Sequence, residues 1–493
     1  MNILDSIISY LSPETGYRRL AFRNALQEEE ERAGYDAADH SRLNARWYAN
    51  NEPAEWTDRA ERDILRARAR DLERNSDIMN SVVGAFKRNV YGAGYRLRVT
   101  TGDDETNTLI ETAWQEWCRK QNCDVSGTQS FNGLMRTAIE RKKVDGGILF
   151  IKCYTGDGML PFKLQLVEVD ELDDTAISAD NTENRVIGGI EYNKFNRPIG
   201  YHIRQYSLDG FSIEESKYYP AKDVIFYYSK KRPTQVREVT DMAPTLTRIR
   251  DINEFIRALA VKERILACLS VFIQRTAPPT LGRTYEGRDD REYQGKTVTP
   301  GMIQYLNPGE TVQTVQPSGQ ATDAERHVKQ QMHLLGSGQG LSYETASRDM
   351  SESNYSSARQ GAIEDELTYE EERELLLEVM DEIFETFVIS LWLTGRLKKG
   401  DFWEHKQTYF SHKWIRSPKR WIDPEKEAKA NMVALQTGQK TWADMAAENG
   451  KDWREQVDEI IEILNYGDER GLDMRKVVFG EATERTETGR SEE

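Results

Sequence analysis

Apolar positions along the chain change their spacing several times, and each change marks an expected element. The first eleven residues place Ile3, Leu4, Ile7, Ile8 and Leu11 on one helical face, the pattern of a short docking helix. Without a basic n-region, and with Asp5 interrupting it, this segment does not read as a secretory signal. Charge and turn-forming residues dominate 12–56, including Glu28 to Glu31, so a partly disordered arm is expected there. Helical spacing then runs from about Asp58 to Arg74 and breaks at Asn75-Ser76-Asp77. Asp77 is the expected cap of a second helix carrying Ile78, Val82, Val83, Phe86 and Val90, which Gly92 and Gly94 terminate.

From Gly94 to Tyr228 the period shortens to two. Tyr95, Leu97 and Val99 alternate, Ile148 to Tyr154 is apolar apart from Lys152, and Phe162, Leu164 and Leu166 alternate again. Segments near Val186 to Tyr192, Ile199 to Arg204 and Val224 to Tyr228 are expected to complete a mostly antiparallel sheet, with turns at Asn196-Arg197-Pro198 and Asp209-Gly210. Helices at about Glu105 to Arg119 and Phe131 to Lys143 would cover it, giving an α+β domain.

Helical spacing returns after Asp241-Met242-Ala243-Pro244. Leu246, Ile249, Ile252, Ile256, Leu259, Ile265, Leu269 and Phe272 keep one face until Pro278-Pro279, which predicts a helix roughly 50 Å long. Thr280 to Thr322 turns to glycine, proline and threonine, with Met302 to Leu306 and Thr311 to Val315 flanking Asn307-Pro308-Gly309 as an expected hairpin. A second helix is expected from about Asp323 to Leu335, and Gly336, Gly338 and Gly340 then open a polar, serine-rich loop with no core of its own to bury. The loop leads into a long helix with Leu376, Val379, Met380, Ile383, Phe384, Phe387 and Leu391 on one face and Gly361 as a possible kink. Beyond Gly395 a compact helical region is expected, with Asp423-Pro424 and Thr441 as caps and Asn449-Gly450 as a separator, followed by a polar tail from Gly480.

Length and composition bound the function. At 493 residues the chain exceeds one compact core, and no run of apolar residues is long enough for a conventional transmembrane helix. Four scattered cysteines, Cys118, Cys123, Cys153 and Cys268, form neither a disulfide framework nor a CxxC pair. A net charge of -16 argues against tight DNA binding, which needs basic neutralisation of phosphate, and fits equally a conduit along which DNA slides without sticking and an ordinary acidic cytosolic protein.

Candidate chemistry is sparse. The glycines at 336, 338 and 340 lack both a preceding strand and a following Lys-Ser/Thr, so they make no phosphate-binding loop. The six histidines show no metal-ligand spacing, and Ser351, Ser353, Ser356 and Ser357 lack a nucleophile-elbow setting. Arg62, Arg66, Arg70 and Arg74 form a basic stripe interleaved with Glu61, Asp63, Asp71 and Glu73, the pattern of a solvated or intersubunit salt-bridging face. Glu168, Asp170, Glu171, Asp173 and Asp174 follow a strand, where a two-metal nuclease would set its ligands. A consecutive acidic run is more often a solvated turn, so no catalytic site, cofactor or metal is expected, and a metal-dependent nuclease stands as the enzymatic alternative.

Several motifs occur in one order: Tyr35-Asp36-Ala37-Ala38, Arg42-Leu43-x-x-x-Trp47, Leu65-Arg66-x-Arg68-x-Arg70-Asp71-Leu72-x-Arg74-Asn75, Val90-x-Gly92-x-Gly94, Arg232-x-x-Gln235-x-Arg237, and Asn307-Pro308-Gly309-Glu310. The serine-rich loop follows with Tyr343, Asp349, Met350 and Asn354-Tyr355-Ser356-Ser357-x-Arg359, and Trp421-x-Asp423-Pro424-x-Lys426-Glu427-Ala428 closes the set. This ordered set resembles the lambda-type family of tailed-phage portal proteins. The chain departs from the family pattern at Glu238-Val239, where Gly-Val is usual, and around Tyr227 to Ser229, where a histidine is usual.

The resemblance implies a non-enzymatic dodecameric ring at the capsid portal vertex of the virion, assembled in the bacterial host cytoplasm. Double-stranded DNA would pass through it during packaging and ejection. Its partners would be terminase, head-completion and tail-connector proteins, and the major capsid and scaffold proteins, with no membrane. A capsid shell or scaffold protein is the other alternative. The implied parts are an arm at 1–56, an α+β wing at 57–240, a stem helix at 241–276, a clip at 277–322, a second stem helix at 323–340, a tunnel loop at 341–356, a long kinked helix at 357–395, a helical crown at 396–479 and a disordered tail at 480–493. Asp349, Ser351, Ser353, Asn354, Ser356, Ser357 and Arg359 would lie near DNA, with Arg359 as a phosphate contact, an intersubunit brace or, with Tyr355, an anchor of the helix start. Asn307, Pro308, Gly309 and Glu310 would meet terminase and adaptors.

Overall fold

A computed structural model describes residues 12–15, 17–18, 21–22, 46–176, 179, 183–205, 216–267, 271–275, 310–314, 321–351, 354–417, 424–472 and 474. The expected docking helix at 1–11, the turn at Asp209-Gly210, the strand at Met302 to Leu306 and the tail from Gly480 lie outside them. The chain divides into two compact units, 1–57 and 58–493. In the first, a helical turn at 13–15 is followed by Arg18, 3.1 Å from Glu14.

The second unit is a mixture of helices and antiparallel sheets, as an α+β fold requires. Helix α1 (Ala54–Asn75) begins at the boundary and gives way to α2 (Asp77–Phe86), which tightens into a π-helical turn at Lys87–Tyr91. The cap between them is Ser76, not Asp77: the Ser76 hydroxyl accepts the Met79 N–H at 3.3 Å, while Asp77 sits one residue inside the helix. Next come β1 (Tyr95–Val99), α3 (Asp104–Trp117), α4 (Phe131–Asp145), β2 (Gly147–Tyr154) and β3 (Phe162–Glu168). Five further strands follow: β4 (Arg185–Ile187), β5 (Ile190–Tyr192), β6 (Pro198–Ile203), β7 (Lys217–Pro220) and β8 (Val224–Tyr228).

These strands do not form the single sheet expected from their alternation. β2 lies between β3 and β8 in a three-stranded sheet, and β4 to β7 form a separate four-stranded meander. Period-two alternation fixes which face a residue takes but not which strand it pairs with. β2 is buried on both faces, which explains its continuous apolar run. Ile148 and Phe150 join the main core with α3 and α4, whereas Leu149 and Ile151 pack on Ile190, Tyr192, Tyr201 and Ile203 of the meander. Tyr95 to Val99 leaves this sheet altogether and pairs with β11 (His412–Arg416), a strand inside the region expected to be helical.

After β8 the chain enters α5 (Leu246–Ala267), whose 22 residues span roughly 33 Å, shorter than the periodicity predicts. Phe272 lies in β9 (Val271–Arg275), which pairs antiparallel with β10 (Glu310–Thr314). A run of Val-Phe-Ile satisfies helical and strand spacing alike, and only this pairing separates them. Helix α6 (Ala321–Gln339) continues through Gly336 and Gly338, so the expected glycine loop is helical until Gly340. The polar loop itself contains α7 (Tyr343–Ser347), and α8 (Tyr355–Leu393) runs for 39 residues through Gly361. Its apolar face, Leu376, Met380, Ile383, Phe384, Phe387 and Leu391, is wholly buried in the main core against Trp114, Trp117 and Phe131. Beyond β11 come α9 (Pro424–Gln436), α10 (Trp442–Glu448), capped by Thr441 as its sequence predicts, and α11 (Trp453–Glu469).

Candidate functional site

The serine-rich segment is only partly a loop. Gly340, with φ of +67°, ends α6, and its carbonyl accepts the Thr368 hydroxyl at 2.7 Å. Leu341 and Ala346 turn inward and are buried, which corrects the expectation of a segment with no core. Ser342 caps α7, its hydroxyl accepting the Thr345 N–H at 3.3 Å. The buried Asp365 of α8 accepts the Ser342 N–H at 2.5 Å, the Ser342 hydroxyl at 2.8 Å and the Thr345 hydroxyl. Arg348, at φ +61°, ends α7 in a left-handed turn. Among the described residues that follow, Arg348 to Ser351 and Asn354 are exposed.

The residues selected from sequence divide within that stretch. Asp349 accepts the Tyr343 hydroxyl at 3.1 Å and the Ser351 N–H at 3.0 Å. Hydrogen bonds from Ser351 and Tyr343 hold its carboxyl below the usual range, so it is charged at neutral pH. The Tyr343 ring stacks on His333, centroids 4.4 Å apart, with the Lys329 ammonium 5.6 Å from its centre. Asn354 and Ser357 form a capping box: the Asn354 side chain accepts the Ser357 N–H at 2.8 Å, and the Ser357 hydroxyl accepts the Asn354 N–H at 3.1 Å. Those two signature residues therefore start α8, and their polar atoms are engaged. Ser351 is exposed before the helix, and Ser356 and Arg359 are exposed at the start of α8. Ser353 lies outside the described residues, as do Asn307, Pro308 and Gly309, while Glu310 begins β10.

The loop rests on a joint that its sequence neighbours do not reveal. Gln339, at the end of α6, donates to the Asp241 carbonyl at 3.2 Å and to the Thr245 hydroxyl at 3.0 Å. A Cβ on Gly338 would come within 2.9 Å of Thr245 Cγ2, so glycine there lets α6 approach the start of α5. Asp241 lies 3.1 Å from Lys142, 3.4 Å from Lys143 and 3.3 Å from Lys231. Both Lys142 and Lys143 also pair with Glu372 of α8. Burial opposes the charge on Asp241, but the three lysines, Lys143 foremost, hold its carboxyl well below the usual range. One ionic cluster thus ties α4, the lead into α5 and α8 together. Adjacent lysines in the last turn of α4 were its only signal in the sequence, and a helix that also carries Arg136, Glu140 and Arg141 does not single them out.

The basic stripe and the acidic cluster meet each other. Arg66 lies 2.9 Å from Asp170 and 3.0 Å from Glu238, and Arg70 lies 2.7 Å from Asp145 and 2.6 Å from Asp170. Arg204 takes Asp173 at 3.3 Å and Asp174 at 2.7 Å. Arg62 and Arg66 are buried, so most of the stripe is an internal brace and not the solvated or intersubunit face expected. Glu238, where the chain departs from the family pattern, is fully buried and also accepts Arg237 at 2.8 Å. Carboxylates already paired with guanidinium groups are poor metal ligands, and no metal-ligating cluster of three occurs among the described residues.

Residues 40–373 match the profile of the phage portal protein, lambda family. The chain belongs to that family. The portal signature from α1 to the first half of α8 lies inside the match, including the exposed turn and the ionic joint. Relatives agree: the probable portal protein of Halomonas phage phiHAP-1 is 24% identical over 446 residues, covering 87% of this chain and 85% of its own. Portal protein B of Escherichia phage lambda is 21% identical over 449 residues, covering 80% of this chain and 83% of its own. Among solved structures, a chain of the virion of a native gene transfer agent particle aligns with 12% identity and a TM-score of 0.44, over 83% of this chain and 98% of that one. The lambda-family portals are structural proteins and not enzymes, which sets aside the nuclease and the shell or scaffold alternatives.

Proposed function

We propose that twelve copies of this portal protein form a ring at one capsid vertex, through which double-stranded DNA is packaged and ejected, with terminase and head-completion proteins docking on it in turn. The segment at 348–354, exposed at its described residues 348–351 and 354, is the DNA-proximal tunnel loop. The observation that carries this reading is its mounting: a short charged and hydroxyl-bearing turn, clamped at its base by Asp365 and by the capping box of α8. Rigid supports flanking a small exposed turn let its tip contact a passing polymer without unravelling.

Electrostatics support the same reading. Glu371, Glu374, Glu378 and Glu385 are exposed along one face of α8 and make no ion pair among the described residues. Such a surface repels phosphate and gives DNA no binding sites to dwell on. In this scheme 57–240 is the wing, α5 and α6 are the stem, the β9–β10 region is the clip, and the segment after 395 is the crown. Terminase, which hydrolyses ATP, supplies the work, since no phosphate-binding loop occurs in the sequence. Deleting residues 351–353 and measuring packaged genome length and retention tests the loop assignment. A loss of full-length or retained genomes is expected, and wild-type packaging and retention would overturn it.

A further inference from the structure

The β5–β6 turn carries a feature that the channel does not use. Asn193 accepts the N–H groups of Phe195 at 2.9 Å and Arg197 at 3.1 Å, and its own N–H donates to the Arg197 carbonyl at 3.0 Å. Asn196 takes the left-handed conformation at φ +60°, and the Arg185 side chain of β4 bonds to it. The tip is therefore fixed in shape, yet it presents Phe195 77% exposed, with only the Lys194 ammonium over its ring at 5.2 Å. An isolated exposed phenylalanine on a rigid, cationic knob is suited to insertion into a socket.

A groove of matching character lies elsewhere on the molecule. Leu109, Ala113, Met159 and Leu391 line a space of about 880 Å³ between α3 and the end of α8, and Leu109 is 39% exposed. Asp104, Glu105 and Glu116 of α3 also line it, as do Arg396 and Lys398 beyond the end of α8. Neither these three carboxylates nor Lys194, Arg197 and Arg185 form an ion pair among the described residues. The groove belongs to the core on the Ile148 and Phe150 side of β2, whereas β5 and β6 pack on the Leu149 and Ile151 side. Within one copy the three-stranded sheet separates knob from groove.

We propose that Phe195 of one copy seats in the Leu109 groove of the next, with Lys194 and Arg197 facing Asp104, Glu105 and Glu116. Because the two surfaces differ and lie on opposite faces, the contact is head-to-tail, the kind that repeats around a ring. The ring itself is the function proposed above, on which this contact rests.

A double variant, Leu109→Cys with Phe195→Cys, tests it in the full-length chain under mild oxidation. A head-to-tail contact predicts a ladder of disulfide-linked oligomers on denaturing gels, absent from either single variant and from the wild-type chain with its own four cysteines. Phe195→Ala, at an exposed site that leaves the melting temperature unchanged, should raise the concentration at which assemblies form by about tenfold or more. Lys194→Glu with Arg197→Glu should do the same and be rescued by Asp104→Lys with Glu105→Lys. Rings that form normally in Phe195→Ala, together with no ladder from the double cysteine variant, would overturn the contact while leaving the ring intact, including the case in which another virion protein fills the groove. Wild-type chains that never assemble would overturn the ring and this contact together.

Discussion

The Asp365 carboxylate holds both the backbone N–H and the hydroxyl of Ser342, fastening the base of the exposed turn to the long helix. Asp365 is 3% exposed, so the groups it satisfies have no water to replace it. Asp365→Ala is expected to destabilise the folded chain by about 2–3 kcal/mol, through the unsatisfied donors of Ser342 and Thr345. It should also speed proteolysis between 341 and 354. Thermal melts and limited proteolysis check both effects, and an unchanged cleavage rate would separate Asp365 from the loop.

Lys142 is entirely buried and is paired with Asp241 and Glu372. Removing one partner of a buried ionic cluster costs about 3–5 kcal/mol, because the others remain charged and unsolvated. Lys142→Met should lower the denaturant midpoint accordingly, whereas Lys231→Met, whose side chain is 57% exposed, should change it little. Equal effects would contradict the cluster as a joint.

Several carboxylates titrate below their usual range in the fold. Asp173 is drawn down to about 2 against the opposing effect of burial, by Ser216, Thr175 and Arg204, and Asp170 is lowered by Arg66 and Arg70. The unfolded chain binds these protons near pH 4 and the folded chain only at lower pH, so the stabilisation is complete above about pH 5. It is lost as pH falls from about 4 toward 2. Melting temperature should be flat from neutral pH to about 5 and then decline, and the decline should be shallower in Asp173→Asn. A pH-independent melt across this window would contradict the pairing.

The sequence announced the elements better than their partners. The burial of Leu376 to Leu391 on α8, the Thr441 cap and the unbroken apolar run of β2 were legible, because each depends on local periodicity or capping. The pairing of Tyr95 to Val99 with His412 to Arg416 was not, since nothing local distinguishes one antiparallel partner from another across some three hundred residues. The same limit hid the meeting of Arg66 and Arg70 with Asp170, which turned a suspected metal site and a solvated stripe into one internal brace. Within the loop, Asp349 and the serines were visible by their polarity. That Asn354 and Ser357 serve the helix start required the geometry of their Asn-x-x-Ser capping box itself.

Asp170 also separates a structural role from a catalytic one. With magnesium and duplex DNA the wild-type chain is expected to produce no cleavage, and Asp170→Ala should lose thermal stability by leaving Arg66 and Arg70 short of a partner. Agarose gels and melting curves check the two halves. Magnesium-dependent cutting abolished by Asp170→Ala would contradict the structural assignment.

The central claim is a closed conduit, and electron microscopy of the purified full-length chain tests it most directly. The account predicts closed rings, twelve subunits in the assembled virion, with a central hole wide enough for a DNA duplex and the 348–354 turns directed into it. Monomers under every solution condition, or rings whose 348–354 turns face outward, would contradict it.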